Sequence, residues 1–379
     1  MSPQELAGRI RSGVRMEHED FSGMVLAGLD LSGGMFSECR FAQADMAGCR
    51  LDDSMFERCG FDGATLSAAR LDGVSLLRCS LRGVNAEAGH WPRAVVAECD
   101  LRDARCEGVE LAETVFYDCE LHGARFERAT LTKTLFNASR MGNASLRDTA
   151  LTSAVFFRAD LRDVGFQGAR FHNAVFSEAD LRGQSFAGQH FALCQFTDAR
   201  MSGCGFEDAR LTQCNFKGAA LDGARMARVQ APQCLFPEAD LRGADFRGAM
   251  LDQSLWVDAW LDAADFSGAS LVQGVFHRAR CENARFARCQ LAYADFSYAD
   301  LRGADFEKAV CQRTQLHRAT LAGSRWSDRI GVLDNDPALH QAEQVAWQRP
   351  TRATRLDRDI DGRMRHDHGR FTPDAKDTA

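Results

Sequence analysis

The chain has 379 residues, with 46 Lys and Arg against 53 Asp and Glu and a formal net charge of −7 at pH 7. This balance excludes a strongly basic nucleic-acid-binding protein and, over such a length, gives only a weak anionic field. No apolar run approaches the ~20 residues of a membrane-spanning helix. We therefore expect neither nucleic acid nor a membrane as a partner.

The first twenty residues predict an N-terminal helical cap, residues 1–20. They are polar and mixed in charge, so we expect no signal peptide. Residues 2–5 (Ser-Pro-Gln-Glu) have the N-cap Ser, the first-turn Pro and the third-place Glu of a capping box. Leu6, Ile10 and Val14 are predicted to share one helical face, which indicates a lid over the open end of the element that follows.

A repeat of five residues fills the chain from Phe21 to Trp326. Every fifth residue there is apolar, over 62 positions without an insertion or deletion, and 25 of them are Leu and 24 are Phe. A second register of small residues, mostly Ala and Cys, lies two places before each of these. A period of five fits neither a helix nor a strand. It suits a short extended segment followed by a turn, in coils that bury their inward side chains by stacking.

The repeat is written most plainly as Ala-Asp-Leu-Arg-Gly at residues 239–243 and again at 299–303. It resembles the pentapeptide-repeat family, over about four-fifths of the chain. The resemblance implies an all-β solenoid, a right-handed quadrilateral parallel β-helix with four pentapeptides per coil, here between short helical end pieces. The large apolar residues at every fifth position agree with a coil of 20 residues. Those that lie 20 positions apart form a mostly Phe column from 116 to 296 and a mostly Leu column from 101 to 261. We predict about fifteen coils over residues 21–326, in a rod roughly 70–75 Å long.

All fourteen cysteines fall in the two inward registers. Stacked neighbours would approach to ~5 Å, but their parallel Cβ vectors suit a disulfide poorly. We interpret them as buried thiols that act as small hydrophobic residues, and expect no metal and no cofactor. Such thiols favour a reducing compartment, so the predicted location is cytoplasmic.

Two stretches keep the frame of five but depart from its usual residues. Residues 84–96 place Trp91 in the large register, and because Trp needs more room than Leu they predict a local bulge. Residues 226–237 place Pro232 and Pro237 directly after inward positions. Because proline lacks an amide donor, this stretch predicts a missing rung.

Four further residues are unusual in the small register. Met24 and Leu29 are too large for it, which predicts a distorted first coil. Gln184 and Gln189 predict buried amides that bond one another or the coil backbone, or a wall that bows outwards.

The repeat ends at Trp326, and two end pieces follow. A helix is predicted to begin with Asp336 as its cap and Pro337 at its first place, within a C-terminal capping helix assigned to residues 327–350. Residues 351–379 are rich in Arg and Asp and predict a disordered charged tail. The candidate partner-binding motif of that tail consists of Leu356, Ile360 and Met364.

No motif predicts catalysis, since we find no phosphate loop, nucleophile elbow or paired zinc ligands. We therefore expect no enzyme and favour a scaffold or adaptor that binds other proteins. The candidate partner-binding surface consists of the outward column Leu77, Tyr117 and Phe157 and of an Arg–aromatic patch made by Trp260, Arg278, Arg280 and Tyr298.

Two settings for such a protein are implied by the resemblance. Long members of the family resemble accessory or loading factors of type VI secretion systems, with spike or effector components as partners. Others mimic duplex DNA and inhibit or protect gyrase or topoisomerase. That alternative requires an acidic rod, whereas the outward place before each large residue carries 13 acids and 13 arginines from position 25 onwards. A homodimer through the terminal caps remains open.

Overall fold

The structure, a computed structural model, describes residues 1–347, with the side chains of residues 1–344. Its contacts divide the chain into two units, Met1–Asn335 and Asp336–Ala379. The predicted tail at 351–379, with Leu356, Ile360 and Met364, lies outside the described residues.

Short strands separated by turns make up almost all of the first unit. Its elements are α1 (Pro3–Arg11), β1 (Met16–Glu17), β2 (Met35–Ser37), β3 (Met55–Glu57), β4 (Ser75–Leu77), β5 (Val95–Ala97), β6 (Val115–Tyr117), β7 (Thr130–Thr132), β8 (Leu135–Asn137), β9 (Ala150–Thr152), β10 (Val155–Phe157), β11 (Arg170–His172), β12 (His190–Ala192), β13 (Arg210–Thr212), β14 (Asp305–Phe306), β15 (Thr314–Gln315), β16 (Arg325–Trp326) and β17 (Val332–Leu333). In the second unit, α2 spans Pro337–Trp347.

All the strand pairs are parallel, and from β1 to β16 each pair joins positions that lie four pentads apart in the sequence. Met16 pairs with Phe36, Phe36 with Phe56, and Phe306 with Trp326, and single bridges keep the same step at the corners. An eight-stranded sheet runs β1-β2-β3-β4-β5-β6-β8-β10, and a five-stranded sheet runs β13-β12-β11-β9-β7. The result is a parallel β-solenoid of about 16 turns. The predicted coil of four pentads is confirmed, and pairing begins one pentad earlier than Phe21.

Each place of the pentad has a fixed role in hydrogen bonding. The large inward residue is the first place: the Phe21 amide donates to the Arg40 carbonyl at 2.7 Å. The third-place amide also reaches the next coil, and the fourth-place amide closes the turn, as Met24 does onto Phe21. The fifth-place amide reaches the preceding coil. The second-place amide takes no part in the backbone ladder and donates to side chains: Ser22 donates to the Asp20 carboxylate two residues before it at 3.0 Å, and Asp72 donates to the Asp52 carboxylate of the preceding coil at 3.2 Å.

The third place lies in the left-handed region of backbone space. Gly23 has φ of 65°, and even the non-glycine Gln43 has φ of 57°. A side chain in this region carries a steric cost that glycine avoids. This requirement explains the glycine that ends the consensus pentad at Gly243.

Inward side chains fill the solenoid as stacked columns. Along the predicted aromatic column, Phe116 and Phe136 stack at 4.9 Å between ring centroids with their planes 3° apart. Rings of adjacent faces meet edge to face, as Phe126 does with Phe136 at 79°. Offset stacking and edge contacts are the favoured arrangements of aromatic rings. The repeat therefore fixes ring geometry as well as burial.

The bulge predicted for residues 84–96 is wrong. The ladder is unbroken there, and Trp91 is buried. Its large ring is accommodated by small neighbours in the same coil, Ala86 and Val96. Gly89 also makes room, because a Cβ at that residue would lie 2.7 Å from the indole nitrogen of Trp91. Compensating volumes within one coil thus replace a backbone distortion.

The missing rung predicted for residues 226–237 is also wrong. Leu235 pairs with both the preceding and the following coil. Pro232 and Pro237 occupy the second place of their pentads, as Pro92 does. Because the second-place amide takes no part in the ladder between coils, a proline there removes no rung.

The first coil is regular, contrary to prediction. Met24 and Leu29 are half-buried and pack against the core while their coil keeps its bridges to the next one. The capping box of α1 is present, with the Ser2 hydroxyl accepting from the Glu5 amide at 3.2 Å. Leu6 and Ile10 are buried, but Val14 lies beyond the helix end and is 43% exposed, so its predicted place on the helical face is wrong.

The two glutamines of the small register behave differently. The Gln184 side-chain nitrogen donates to the carbonyls of Leu161 at 2.6 Å and Val164 at 2.9 Å, so the predicted bonding to the coil backbone is confirmed. Gln189 is half-buried and its side-chain oxygen has no hydrogen-bond partner. The Gln184 side chain takes the carbonyl of Val164 where the regular bridge between Gly165 and Ser185 is absent, so the wall departs from its regular ladder at this place.

The end of the first unit departs from the repeat. Strand β17 pairs with β15, Val332 opposite Thr314, so the last step falls short of a full coil of four pentads. Gly331 permits this tightening, since a Cβ there would collide with the Cys311 carbonyl oxygen. Helix α2 then begins after Asp336, whose carboxylate accepts from the amides of its first turn at 2.9 and 3.0 Å. The capping role of residues 327–350 stays a prediction.

Candidate interaction surface

The outer walls of the solenoid differ in the residues at the fifth place of each pentad, where the side chain points outwards. On the eight-stranded sheet this place is mostly aliphatic from β2 onwards. Its residues there are Met35, Met55, Ser75, Val95, Val115, Leu135 and Val155, and a single bridge from Val155 continues the column to Val175. The wall that follows each of these strands is instead charged, with Asp100, Glu120, Arg140, Asp160, Asp180 and Arg200.

A second outward column runs beside the first on the same sheet, two residues later in each strand. The register places Leu77, Ala97, Tyr117, Asn137 and Phe157 in sequence across neighbouring strands. Tyr117 is 50% exposed, while Leu77 and Phe157 are half-buried. The structure therefore brings the three predicted residues of this column onto one sheet.

We name these two columns together the apolar stripe. It consists of Met35, Met55, Val95, Val115, Leu135, Val155 and Val175, with Leu77, Tyr117 and Phe157 beside them. The first seven were missed because the outward residues at the fifth place were counted over all four walls together. Comparing outward residues that lie 20 positions apart, as for the inward residues, identifies the column.

The residues of the predicted Arg–aromatic patch lie around two rings. Trp260, 42% exposed, has the guanidinium carbons of Arg242 and Arg280 at 5.3 and 5.1 Å from its ring. Arg278 forms a two-point ion pair with Asp258 at 2.7 and 2.8 Å, and its Nη1 lies 2.7 Å from Nδ1 of His277. The pairing of Arg280 with Trp260 fits the predicted patch. Arg242 was missed, although it lies in the coil directly before that of Trp260.

The other ring of that prediction, Tyr298, belongs to a cluster with two histidines. Its ring contacts His277 at 5.2 Å and His317 at 5.6 Å between centroids. The guanidinium of Arg318 lies 5.9 Å from the Tyr298 ring. This cluster extends the polar surface near the last coils.

Acidic residues of the charged walls are held by arginines of the same or the neighbouring coil. Asp180 is the clearest case: its carboxylate is nearly buried and pairs with Arg182 at 2.7 Å and Arg200 at 3.2 Å. Burial alone would raise the pKa of Asp180, but the hydrogen bonds from Arg182 and the charge of Arg200 outweigh it and lower that pKa. The charges of these walls are thus neutralised locally instead of forming an acidic row.

Cysteines with only carbonyl or apolar neighbours differ in pKa from the stacked ones, since hydrogen bonds from Cys39 and Cys79 lower the pKa of Cys59. All fourteen are free thiols, thirteen of them buried and Cys311 half-buried. Burial raises the pKa of Cys49 to about 11 and that of Cys106 to about 12, so both are protonated near neutral pH. A protonated thiol is a poor nucleophile. Within residues 1–347 no group of three or more His, Cys, Asp or Glu residues is placed to hold a metal ion.

Neither described helix is long and apolar enough to cross a bilayer.

Comparison with known proteins agrees with this architecture. Eight copies of a family described as Pentapeptide repeats match more than half of the chain, at residues 36–73, 99–137, 154–188, 190–228, 219–255 and 284–323. No curated protein sequence matches.

Solved structures with similar folds include QnrB1, HetL and Rfr23. QnrB1, described as a plasmid-mediated fluoroquinolone resistance protein, is 21% identical over 57% of this chain and 94% of its own, with a TM-score of 0.33. HetL from the cyanobacterium Nostoc, described as involved in heterocyst differentiation regulation, is 20% identical over 89% of this chain and 98% of its own, with a TM-score of 0.16. Rfr23 from the cyanobacterium Cyanothece is 17% identical over 32% of this chain and 89% of its own, with a TM-score of 0.15.

Proposed function

The chain belongs to the pentapeptide-repeat family and has its right-handed, four-sided parallel β-helix, and from this premise we propose that it is a non-catalytic scaffold that binds other proteins. The observation that carries the proposal is the apolar stripe. From Met35 to Val175 it crosses seven coil steps of ~4.8 Å, and a three-residue strand is ~10 Å wide, so the area that contains it is roughly 340 Å². Glu57, Ser75 and Asn137 lie within that area, so the apolar part is smaller, and its first column is uninterrupted from Val95 to Val175. Apolar side chains aligned on one wall are candidates for a binding site.

The geometry of the walls favours binding over catalysis. A catalytic site needs polar groups that converge on one point in a concave site. Here the inward side chains are packed against one another, and neighbouring outward side chains of a wall repeat in register along the coils. Such walls suit the presentation of a flat surface to a partner.

The pairing of charges favours a protein partner over a role as a DNA mimic. A mimic needs rows of unpaired acids, whereas Asp100 accepts from Arg82 and Arg102, and Asp180 pairs with Arg182 and Arg200. A gyrase supercoiling assay checks this point. We expect no inhibition at micromolar protein, and inhibition there would favour the mimic instead.

We propose a type VI secretion system as the setting, with the protein as an accessory or loading factor for spike or effector components. The support is the resemblance of long family members to such factors. We further propose a cytoplasmic location, which the free buried thiols support because they suit a reducing compartment. Genes for secretion components beside the gene of this protein are the expected observation, and their absence would count against this setting.

Substitution on the stripe tests the scaffold directly. We expect the double variant Tyr117→Arg, Phe157→Arg to lose at least ~10-fold in affinity for captured partners, because apolar contact is replaced by charge. The matched control is Met250→Arg, which changes a 53% exposed fifth-place residue on another wall. Affinity capture followed by titration of each purified partner measures the effect. Equal binding by both variants would place the interaction elsewhere.

A further inference from the structure

The central part of the aliphatic column of the apolar stripe has the same order of residue types in both directions. Its central block is Val95, Val115, Leu135, Val155 and Val175, with one Leu between two pairs of Val. A polar residue bounds the block on each side, Ser75 before it and Gln195 after it. A surface that matches its own reverse is suited to contact between two identical copies related by a two-fold axis.

The geometry of a flat sheet fixes how such copies would meet. If the two-fold axis runs parallel to the strands, the two solenoids are antiparallel and each outward column faces the same column of the other copy. Aligned sheets packed in this way lie ~10 Å apart. A residue of one copy then faces the residue at the same distance on the other side of the axis.

We propose that the apolar stripe is occupied by a second copy of this chain, in an antiparallel face-to-face dimer whose two-fold axis passes at Leu135. This inference rests on the proposed function as a protein-binding surface and names the partner of that surface. Leu135 meets its own counterpart, Val115 meets Val155, and Val95 meets Val175. Every contact of the central block is therefore aliphatic on both sides.

The second column agrees with the same axis. Tyr117 of one copy faces Phe157 of the other, and such aromatic pairs add to the stability of an interface. Asn137 faces its counterpart on the axis, where two amide side chains satisfy each other. Further out, Glu57 faces Lys217; within one chain Glu57 lies 3.9 Å from Arg15 and Lys217 lies 3.6 Å from Glu238, so each joins a charge that is already paired.

Other positions of the axis give poorer contacts. Moving it half a coil towards the C-terminus sets Val95 against Gln195 and brings Lys217 onto Leu77. Moving it half a coil towards the N-terminus sets Ser75 against Val175. Each shift sets a polar group against a valine of the central block, which costs free energy unless that group is hydrogen-bonded. With the axis at Leu135 such contacts, Met55 against Asn215 and Leu77 against Thr197, fall outside the central block. This position is therefore the one that keeps the central block aliphatic on both sides.

The overlap is long enough for a stable dimer. With the axis at Leu135, residue 15 faces residue 255, so the copies overlap over twelve coil steps of ~4.8 Å and a width of ~10 Å. This gives on the order of 600 Å² per copy and about 1,200 Å² in total, at the lower end of the range for specific interfaces.

The oligomeric state tests the dimer. Light scattering or sedimentation of the full chain should give twice the monomer mass of 41.8 kDa. The variant Leu135→Arg brings two like charges together on the axis and should weaken self-association by ~100-fold. Met250→Arg, on another wall, should leave the dimer intact. A wild-type protein that stays monomeric at high micromolar concentration would overturn the proposal, as would a dimer unaffected by Leu135→Arg.

A cysteine crosslink tests the position of the axis. Asn137→Cys puts a thiol opposite its own counterpart, so a short bismaleimide should join the two chains. Thr197→Cys, in the same column, should give no such product, because its counterpart is six coils or ~29 Å away. The native thiols interfere little because thirteen are buried. Crosslinking at 197 but not at 137 would refute this axis, and a dimer through the terminal caps would be linked at neither.

The outcomes separate this inference from the scaffold itself. A monomer that still loses its captured partners on Tyr117→Arg, Phe157→Arg would refute the dimer and keep the scaffold. A dimer that captures no other protein would refute the scaffold and keep the dimer.

Discussion

The three tryptophans of the large register show how one residue two places away decides whether a buried N–H is satisfied. The indole nitrogens of Trp256 and Trp326 donate to the hydroxyls of Ser254 and Ser324 at 2.7 and 3.0 Å. Trp91 has glycine at the corresponding place, and its indole nitrogen is buried without a partner. An unsatisfied buried donor costs about 1–3 kcal/mol.

Replacing these tryptophans by phenylalanine should therefore have unequal effects. We expect Trp91→Phe to change the free energy of unfolding by less than ~1 kcal/mol, because it removes an unpaired donor along with apolar area. Trp256→Phe breaks a hydrogen bond and should cost about 1–2 kcal/mol more. Thermal and urea midpoints of the two variants measure the difference. Equal losses of unfolding free energy in the two variants would show that the unpaired indole N–H of Trp91 does not destabilise the fold.

The buried thiols should make the protein sensitive to alkali. Burial raises the pKa of Cys49 to about 11 and of Cys106 and Cys204 to about 12. In the unfolded chain a thiol loses its proton near pH 8.5. Above that pH the unfolded state binds fewer protons than the folded state, so stability falls as pH rises towards the folded pKa.

The size of this effect follows from linkage. Each such thiol should contribute a slope of up to ~1.4 kcal/mol per pH unit, and below about pH 8 the contribution is fully present and constant. Urea midpoints between pH 7 and pH 11 measure the total slope. The control is Cys106→Ala, which should reduce the slope although it also leaves a small cavity. A midpoint independent of pH over this range would contradict the prediction.

At the scale of the pentad, proline is tolerated at one place and harmful at another. Pro92, Pro232 and Pro237 all occupy the second place, whose amide is not part of the backbone ladder between coils. The fifth-place amide does, as when Ala220 donates to the Ala199 carbonyl at 2.9 Å. Two alanines therefore provide a matched pair for substitution.

We expect Ala112→Pro, at a second place, to be neutral or to stabilise by up to ~1 kcal/mol, since it restricts the unfolded chain without removing a ladder bond. Ala220→Pro, at a fifth place, should destabilise by ~3 kcal/mol or more, because it removes that bond and places a ring against the neighbouring coil. Thermal unfolding followed by circular dichroism distinguishes them. A large loss at Ala112 would show that the second place has a further requirement.

The elements were predictable to the extent that they depend on the repeat alone. The five-residue repeat predicted the coil, its inward columns and the buried cysteines, and the capping box predicted α1. The frame could not give the fit of Trp91, which depends on the volumes of Ala86, Gly89 and Val96 together. It also did not give Arg242 as the second partner of Trp260, because an Arg–aromatic contact depends on how side chains of adjacent coils are directed.

The apolar stripe shows a different reason for a missed feature. Its residues are ordinary surface residues one at a time, and only their order along one wall makes them a surface. That order was present in the sequence at the spacing of one coil. The shortened step from β15 to β17 was not, because it arises from a close backbone approach at Gly331 outside the repeat.

For the whole molecule, the effect of a deletion should depend less on the number of residues removed than on whether the downstream residues stay on their original wall of the solenoid. Deleting residues 141–160 removes one coil and brings Phe136 onto Phe176, so the aromatic column continues. Deleting residues 141–145 keeps every pentad place but brings Phe136 onto Leu161. We expect the deletion of five to lower the melting temperature more than the deletion of twenty. Circular dichroism should show a β-solenoid in both cases, and the reverse order of stability would refute the argument.

From Met16 to Trp326 the coil advances by four pentads, although the bridges between Gly165 and Ser185 and between Arg170 and His190 are absent, so the solenoid has two periods, one of five residues and one of twenty. Insertions and deletions of any five codons preserve the hydrogen-bond roles inside the solenoid. Only those of twenty codons also keep downstream residues on the wall they occupied. Natural length variants that preserve the apolar stripe should therefore differ by whole coils, whereas variants that differ by single pentads would have turned one part of the stripe a quarter-turn away from the other.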